Sequence, residues 1–149
     1  MKGYSIQKLP EKNAVARLVE ANISMKDAVN VAHFLKNKPL DEARDYIENV
    51  IERKKPIPYF RYLDSVSHRR GTGPGRYPVR AAKAFLALLE SVTANAEFKN
   101  LDTEKVVIEH IAASKGRMLK RFTPKAQGSS GANNRDLVNL EVVVAEAVE

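Results

Sequence analysis

One stretch limits the fold of this chain more than any other. Residues 114–135 run for 22 positions with only Met118, Leu119, Phe122, Ala126 and Ala132 apolar, and with no Asp or Glu. Such a segment has too little apolar surface to bury a core of its own. Stretches that read as strands flank it. Val106–Ile111 is rich in β-branched residues, and Val138, Leu140, Val142 and Val144 alternate with Asn139, Glu141 and Val143. Two strands joined by a polar segment, with Gly128-Ser129-Ser130-Gly131 as its turn-formers, predict a long antiparallel hairpin whose far end leaves the body. With ~11 residues per arm at ~3.3 Å each, it would reach roughly 35 Å. A free two-stranded ribbon is marginal in water, so this one either becomes ordered against a partner or remains a disordered loop.

The rest of the chain predicts the body. Ala14-Val15-Ala16-Arg17-Leu18-Val19 is β-branched and roughly alternating, which places a strand over 14–21. Ser24-Met25-Lys26-Asp27 has the form of a capping box with Asp in place of Glu, and Ala28, Val31, Ala32 and Leu35 follow at helical spacing. After Pro39 a second helix is predicted over 40–54, with the stripe Ala43, Tyr46, Ile47, Val50 and Ile51. Asp41 and Glu42 in its first turn and Lys54 in its last suit the helix dipole. A third helix is predicted over 78–98, with Pro78 at its first position and the stripe Ala82, Phe85, Leu89, Val92 and Ala96, flanked by Leu86 and Thr93. Arg80 and Lys83 near its start oppose the dipole, which points to a partner outside the helix.

Between the second and third helices, Pro56, Pro58, Gly71, Gly73, Pro74 and Gly75 break any continuous element. A loop of this length in a small domain is either functional or unordered until something binds. Tyr59, Phe60, Tyr62 and Tyr77 interleave with its basic residues; they either anchor the loop to the core or stack on exposed bases. At 149 residues and 44% hydrophobic content the chain suits one folded domain, and no repeat or linker divides it. The expected architecture is α+β: three helices packed on a small antiparallel three-stranded sheet, with a long protruding basic β-hairpin. The expected parts are a globular body over 1–113 and 136–149, a hairpin arm over 114–135, and a basic Gly/Pro loop over 55–77.

Charge is segregated. Residues 53–83 hold nine Lys and Arg against Asp64 alone, and residues 111–135 hold six with no acid, while the remaining 93 residues carry −7 within a total of +7. Clusters of one sign repel themselves unless a polyanion neutralises them. Nucleic acid is the first such polyanion for a cytosolic protein, and an anionic membrane the second. Extended basic ribbons and loops suit RNA shape and phosphate; no recognition helix of the kind that reads a DNA groove is present.

Other chemistries lack their residues. The chain has no Cys, which excludes a disulfide scaffold, a thiol nucleophile and a Cys-ligated zinc. His33, His68 and His110 are far apart and lack metal-ligand spacing. Gly71-Thr72-Gly73-Pro74-Gly75-Arg76 fits neither phosphate-loop template. The longest apolar runs, such as 84–89, are far shorter than the ~18–20 residues that cross a bilayer. Met1-Lys2-Gly3-Tyr4-Ser5 opens no apolar signal segment, so a cytoplasmic location is expected. No enzyme activity, cofactor, metal or membrane insertion is expected. A free-standing basic RNA- or DNA-binding architectural or chaperone protein is the alternative to the reading that follows.

Several stretches together resemble one family. Ala14-Val15-Ala16-Arg17, Ser24-Met25-Lys26-Asp27-Ala28 and Lys36-Asn37-Lys38-Pro39-Leu40-Asp41-Glu42-Ala43 are similar to the opening of the universal large-subunit ribosomal proteins of the L-twenty-two family. Gly75-Arg76-Tyr77-Pro78 leading to Lys83-Ala84-Phe85-Leu86, with the insertion before it, resembles the archaeal and eukaryotic branch, and Ala94-Asn95-Ala96-Glu97 resembles the end of the third helix. Leu119-Lys120-Arg121-Phe122-Thr123-Pro124-Lys125-Ala126-Gln127-Gly128 and Asn139-Leu140-Glu141-Val142-Val143-Val144 resemble the two halves of the family signature in order and spacing. The chain departs at Lys125, where the family usually has Arg or His, and at 129–134, where many members carry several Arg and Lys.

The resemblance implies a structural protein of the large ribosomal subunit in the cytoplasm. Its expected partners are large-subunit rRNA, neighbouring ribosomal proteins and the nascent polypeptide, with no homo-oligomer. The expected rRNA-binding residues are Lys115, Arg117, Lys120, Arg121, Lys125 and Arg135 on the hairpin, Arg69, Arg70, Arg76, Arg80 and Lys83 on the loop and third helix, and Arg17 on the first strand. The tunnel-facing part of the hairpin is expected at Lys120, Arg121, Phe122, Lys125, Gln127 and Gly128.

Overall fold

The computed structural model describes residues 4–6, 10 and 12–146. The opening Met1-Lys2-Gly3 and the last three residues of the expected body lie outside the described residues. In chain order the elements are β1 (Asn13–Ala21), α1 (Met25–Leu35), α2 (Leu40–Ile51), β2 (Ile57–Pro58), β3 (His68–Arg69), β4 (Gly73–Arg76), α3 (Val79–Phe98), β5 (Val106–Leu119), β6 (Phe122–Pro124), β7 (Ser130–Ala132) and β8 (Arg135–Glu146). The principal sheet is antiparallel with the order β1-β8-β5. The expected α+β arrangement of three helices and a three-stranded antiparallel sheet is therefore the observed one.

Alternation along β8 builds the core. Val138, Leu140, Val142 and Val144 are fully buried on the helix side. Ala14, Ala16 and Leu18 of β1 stand opposite Val144, Val142 and Leu140, and Ile108, Ile111 and Ala113 of β5 stand opposite the same three residues from the other edge. The inward positions of β5 change parity between Ile108 and Ile111 because the register shifts between Ile108 and His110. An extra residue in one strand of a ladder produces this shift.

The helices close the other side. α3 packs on β1 and α2, and α1 packs on β5. Ala82, Phe85, Leu89, Val92 and Ala96 are all completely buried, the predicted stripe of α3. Each large apolar side chain so enclosed contributes about 1.5–3 kcal/mol. Ser24 accepts from the Asp27 backbone N–H at 3.4 Å, one half of the predicted capping box. The Asp27 carboxylate instead accepts from the Tyr59 hydroxyl at 2.6 Å.

Two helix boundaries differ from expectation. α2 stops at Ile51, so Lys54 is not in its last turn. Arg53 adopts a left-handed φ of 61°, its N–H donates to Val50 O at 3.0 Å, and the Lys54 N–H donates to Asn49 O at 2.9 Å. That pairing is a Schellman C-cap with Arg where Gly is usual. Pro78 is the N-cap of α3, so the helix starts at Val79, one residue after the predicted first position.

The 55–77 segment is not one unbroken loop. β4 pairs with β2 through Ile57↔Arg76 and Pro58↔Gly75, and with β3 through His68↔Pro74 and Arg69↔Gly73. Gly75 is buried in this small sheet, and a Cβ there would lie 3.1 Å from Ile57 O. Tyr59 is buried and serves as the anchor, whereas Phe60 and Tyr62 remain exposed. Phe60 stacks on His33 at 3.9 Å between centroids. Asn30, fully buried, holds the segment: its Oδ1 accepts from the Phe60 and Arg61 N–H groups at 3.0 and 3.2 Å, and its Nδ2 donates to Lys26 O and Arg61 O.

On the opposite face of the sheet, the Glu141 carboxylate accepts from the Ser5 backbone N–H at 3.1 Å and from the Ser5 hydroxyl, and lies 3.2 Å from His110 Nε2. Burial pushes the Glu141 carboxyl up, but the bonds from Ser5 and His110 outweigh it and hold the group below the usual range.

Candidate nucleic-acid interface

Two local rules bring the basic residues to the surface. The ladder between β5 and β8 runs past the body to Leu119↔Arg135, so the strand predicted to end at Ile111 continues for eight more residues. The pairing resumes at Phe122↔Ala132, Thr123↔Gly131 and Pro124↔Ser130. The Lys125 N–H donates to Ser129 O at 2.8 Å and closes the tip, with Gln127 and Gly128 at φ 55° and 72°. The turn thus centres on Ala126–Gly128 and overlaps the Gly128–Gly131 cluster only at its start, and Ser130 and Gly131 already belong to β7. Residues 120–130 and 132–135 are all exposed, with Phe122 at 75%.

The hairpin cations divide into two groups. Lys115 Nζ lies 3.0 Å from Asp136 Oδ2, and an Arg117 guanidinium nitrogen lies 3.1 Å from Glu20 Oε2. Both carboxylates come from outside the acid-free segment, Asp136 from β8 and Glu20 from β1. Lys120, Arg121, Lys125 and Arg135 make no ion pair among the described residues. The two pairs are exposed, and exposed pairs contribute only about 0–1 kcal/mol, so a phosphate can replace either carboxylate at little cost. The Lys125 chain crosses over Gly131, where a Cβ would meet Lys125 Cε at 2.8 Å.

The loop cations form a second cluster. Arg53, Arg69 and Arg76 line one open depression with Ser65, Ser67 and Tyr77. The Arg69 guanidinium sits 5.3 Å from the Tyr77 ring centroid, and Arg76 donates to Ser65 O at 3.0 Å. Both contacts pre-orient a guanidinium whose remaining donors face solvent. Arg70 is exposed in the turn between β3 and β4, and Lys83 is exposed near the start of α3.

Loop and hairpin are far apart in the sequence, yet Arg80 of α3 and Arg135 of β8 line one depression with Asn22, Ser24, Asp27 and Asp136. Arg135 also borders the adjoining cavity with Arg121 and Asn133. The two basic segments therefore meet around Asn22. Arg17 is exposed on β1, opposite Glu141 in register, and borders none of these depressions. Arg53, Asn22 and Asn133 are the residues the sequence does not single out. Arg53 stands in the basic run and joins the site only because its left-handed cap ends α2; Asn22 and Asn133 carry no sequence signal.

Among the described residues no group of three or more His, Asp and Glu has a geometry for a metal ion, and no helix is long and apolar enough to cross a membrane. Comparison with known proteins decides among the remaining readings. The family model described as ribosomal protein L22p/L17e matches residues 16–145. The chain belongs to this family. It is a ribosomal protein, a structural constituent rather than an enzyme. Relatives in the family include the large ribosomal subunit protein uL22 of Picrophilus torridus, 64% identical over 149 residues that cover 100% of this chain and 99% of the relative. The protein of the same name from Thermoplasma volcanium is 60% identical over 146 residues, covering 98% of each chain. That of Ignicoccus hospitalis is 45% identical over 146 residues, covering 94% and 92%. The family match begins within β1 and ends within β8, so it spans the hairpin and the loop sheet as well as the body.

Proposed function

We propose that this chain is a constituent of the large ribosomal subunit in the cytoplasm, that it binds rRNA through its hairpin and loop, and that the hairpin lines the nascent-polypeptide exit tunnel. In this reading residues 1–113 and 136–149 form the body, 114–135 the arm and 55–77 a second rRNA surface. The observation that carries it is an exposed hairpin whose Lys120, Arg121, Lys125 and Arg135 have no protein carboxylate partner among the described residues. Such groups serve a polyanion, and in a ribosomal protein that polyanion is rRNA. Arg69, Arg70, Arg76, Arg80 and Lys83 extend the surface, with Lys115 and Arg117 exchanging their carboxylates for phosphates and Arg17 as an outlying contact. Phe122, Gln127 and Gly128 at the tip face the passing polypeptide together with Lys120, Arg121 and Lys125.

Binding of a large-subunit rRNA fragment should weaken with salt at about 0.7–0.9 log units per neutralised phosphate per decade, roughly 3 for the four free hairpin cations alone. In cells the protein should sediment with the large subunit in near-stoichiometric amount through a salt wash. Its appearance mainly in the soluble fraction would reject the ribosomal reading in favour of a free-standing nucleic-acid binder. For the tunnel, a photo-crosslinking residue at Gln127 in ribosomes carrying a stalled nascent chain should label that chain. Labelling of rRNA only would remove the tunnel assignment and leave rRNA binding in place.

A further inference from the structure

Beside the root of the arm lies a cavity of about 250 Å³ that neither the core nor the ion pairs account for. It is bounded by Asn22 from the turn after β1, Leu119 at the end of β5, Arg121, Asn133, and Arg135 and Leu137 at the start of β8. The ladder creates it. Pairing stops at Leu119↔Arg135 and resumes at Phe122↔Ala132, so two residues on each side leave the register. The Asn133 N–H donates to Arg121 O at 2.7 Å and keeps the opening from collapsing or spreading. Leu137 is only 6% exposed, yet neither it nor Leu119 belongs to the hydrophobic cluster between sheet and helices. Two leucines thus stand as apolar walls with no core to serve. The polar groups around them are two guanidiniums and two amides, with no carboxylate on the lining.

This combination selects its ligand. A bare phosphate would satisfy the arginines and leave the leucines idle. An apolar side chain would satisfy the leucines and leave the arginines idle. A flat heterocycle satisfies both: its faces meet Leu119 and Leu137, and its edge meets donors from Arg121, Arg135, Asn22 and Asn133. The volume is a little under the range of ~300–1,000 Å³ that holds a drug-sized ligand, which suits a single base. The lining is rich in donors, so an edge with adjacent acceptors fits best, and guanine offers O6 and N7 to the guanidinium fork. We infer that this cavity receives one unpaired base of the rRNA, guanine in preference, splayed out of its strand. The inference rests on the rRNA-binding reading and adds to it a base-specific site.

The test uses the full chain with labelled leucine methyls and amide side chains, followed by nuclear magnetic resonance. The probes are 5′-GMP, 5′-AMP, 5′-CMP, 5′-UMP and ribose 5-phosphate, with an rRNA fragment titrated in parallel. Saturable shifts at Leu119, Leu137, Asn22 and Asn133 are expected with GMP, binding at least fivefold more tightly than CMP. Ribose 5-phosphate should leave the leucine methyls unmoved. Arg121→Ala and Asn133→Ala should each weaken GMP by about fivefold or more while the spectrum stays dispersed, and Arg44→Ala, on α2 beside Glu48 and outside the cavity, should not. Equal affinity for all the probes, or no saturable shift at the leucines with any nucleotide while the rRNA fragment still binds, overturns the inference alone. Failure of the rRNA fragment to bind overturns the reading beneath it.

Discussion

Replacing residues 120–134 by Asn-Gly, so that a two-residue turn joins Leu119 to Arg135, separates the arm's role in binding from any role in folding. Leu119 and Arg135 face each other across the ladder, the geometry a type I′ turn closes. The excised stretch contains no buried residue. Shortening the connection from fifteen residues to two lowers the closure cost by about 1.8 kcal/mol. Loss of the three β6–β7 pairs costs about 0.2–1 kcal/mol each. The two nearly cancel, so the melting temperature should move by no more than about 6 °C. Binding should change far more. Lys120, Arg121 and Lys125 leave with the arm, and the salt slope on an rRNA fragment should fall by about 2–3. Thermal melts by circular dichroism and filter binding at several salt concentrations measure the two quantities. A melting temperature lowered by more than ~15 °C would mean that the arm helps to hold the body together, against the burial that predicts the opposite. An unchanged salt slope would mean that these cations do not meet phosphate.

Other expectations follow from single contacts. Asn30→Ala strips two backbone N–H groups and two carbonyls of a buried partner, and should destabilise by about 2–4 kcal/mol in urea unfolding, with faster hydrogen exchange over 59–62. Tyr59→Phe removes the donor to Asp27 and should cost about 1.5–3 kcal/mol; burial, then the bond to Asp27, raises the Tyr59 hydroxyl, so this contribution should stay constant across neutral pH. Glu141 is held below the usual carboxylate range in the folded protein, so its contribution is present above about pH 4.5 and is lost as pH falls through the lowered value. Glu141→Gln should therefore flatten the acid limb of the stability curve measured by denaturant titration, and an unaltered limb would disprove the assignment.

What the sequence makes legible depends on whether burial writes a period into it. One-sided burial imposes 3.6-residue spacing on α3 and strict alternation on β8, and both can be read directly. β5 hides its design, because the register shift after Ile108 moves the inward set from 106 and 108 to 111 and 113, across Glu109 and His110. The small sheet of 55–77 is illegible for another reason. Gly73-Pro74-Gly75-Arg76 has no strand propensity; it is held by pairing with Ile57 and Pro58, and the neighbouring Phe60 and Arg61 are held by Asn30, about thirty residues away. At the site, residue types and segments are readable, but their grouping is not. Nothing local to Arg117 announces that Glu20, 97 positions earlier, answers it, and nothing joins Arg80 to Arg135 before the chain folds.

β8 is at once the middle strand of the main sheet and one rail of the arm, and β5 is both an edge of that sheet and the other rail. The proximal arm therefore grows directly out of the sheet ladder, with one register shift between Lys115 and Met118. To swing, it would have to shear backbone hydrogen bonds that continue into the ladder beside Leu140 and Val142. A push at Leu119 and Arg135 is transmitted as torsion of the whole sheet, whereas the lapse in pairing before Phe122↔Ala132 sets the tip apart from that ladder. What first projects from this protein, up to Leu119 and Arg135, is accordingly a stiff stem, aimed by the same packing that keeps the body folded.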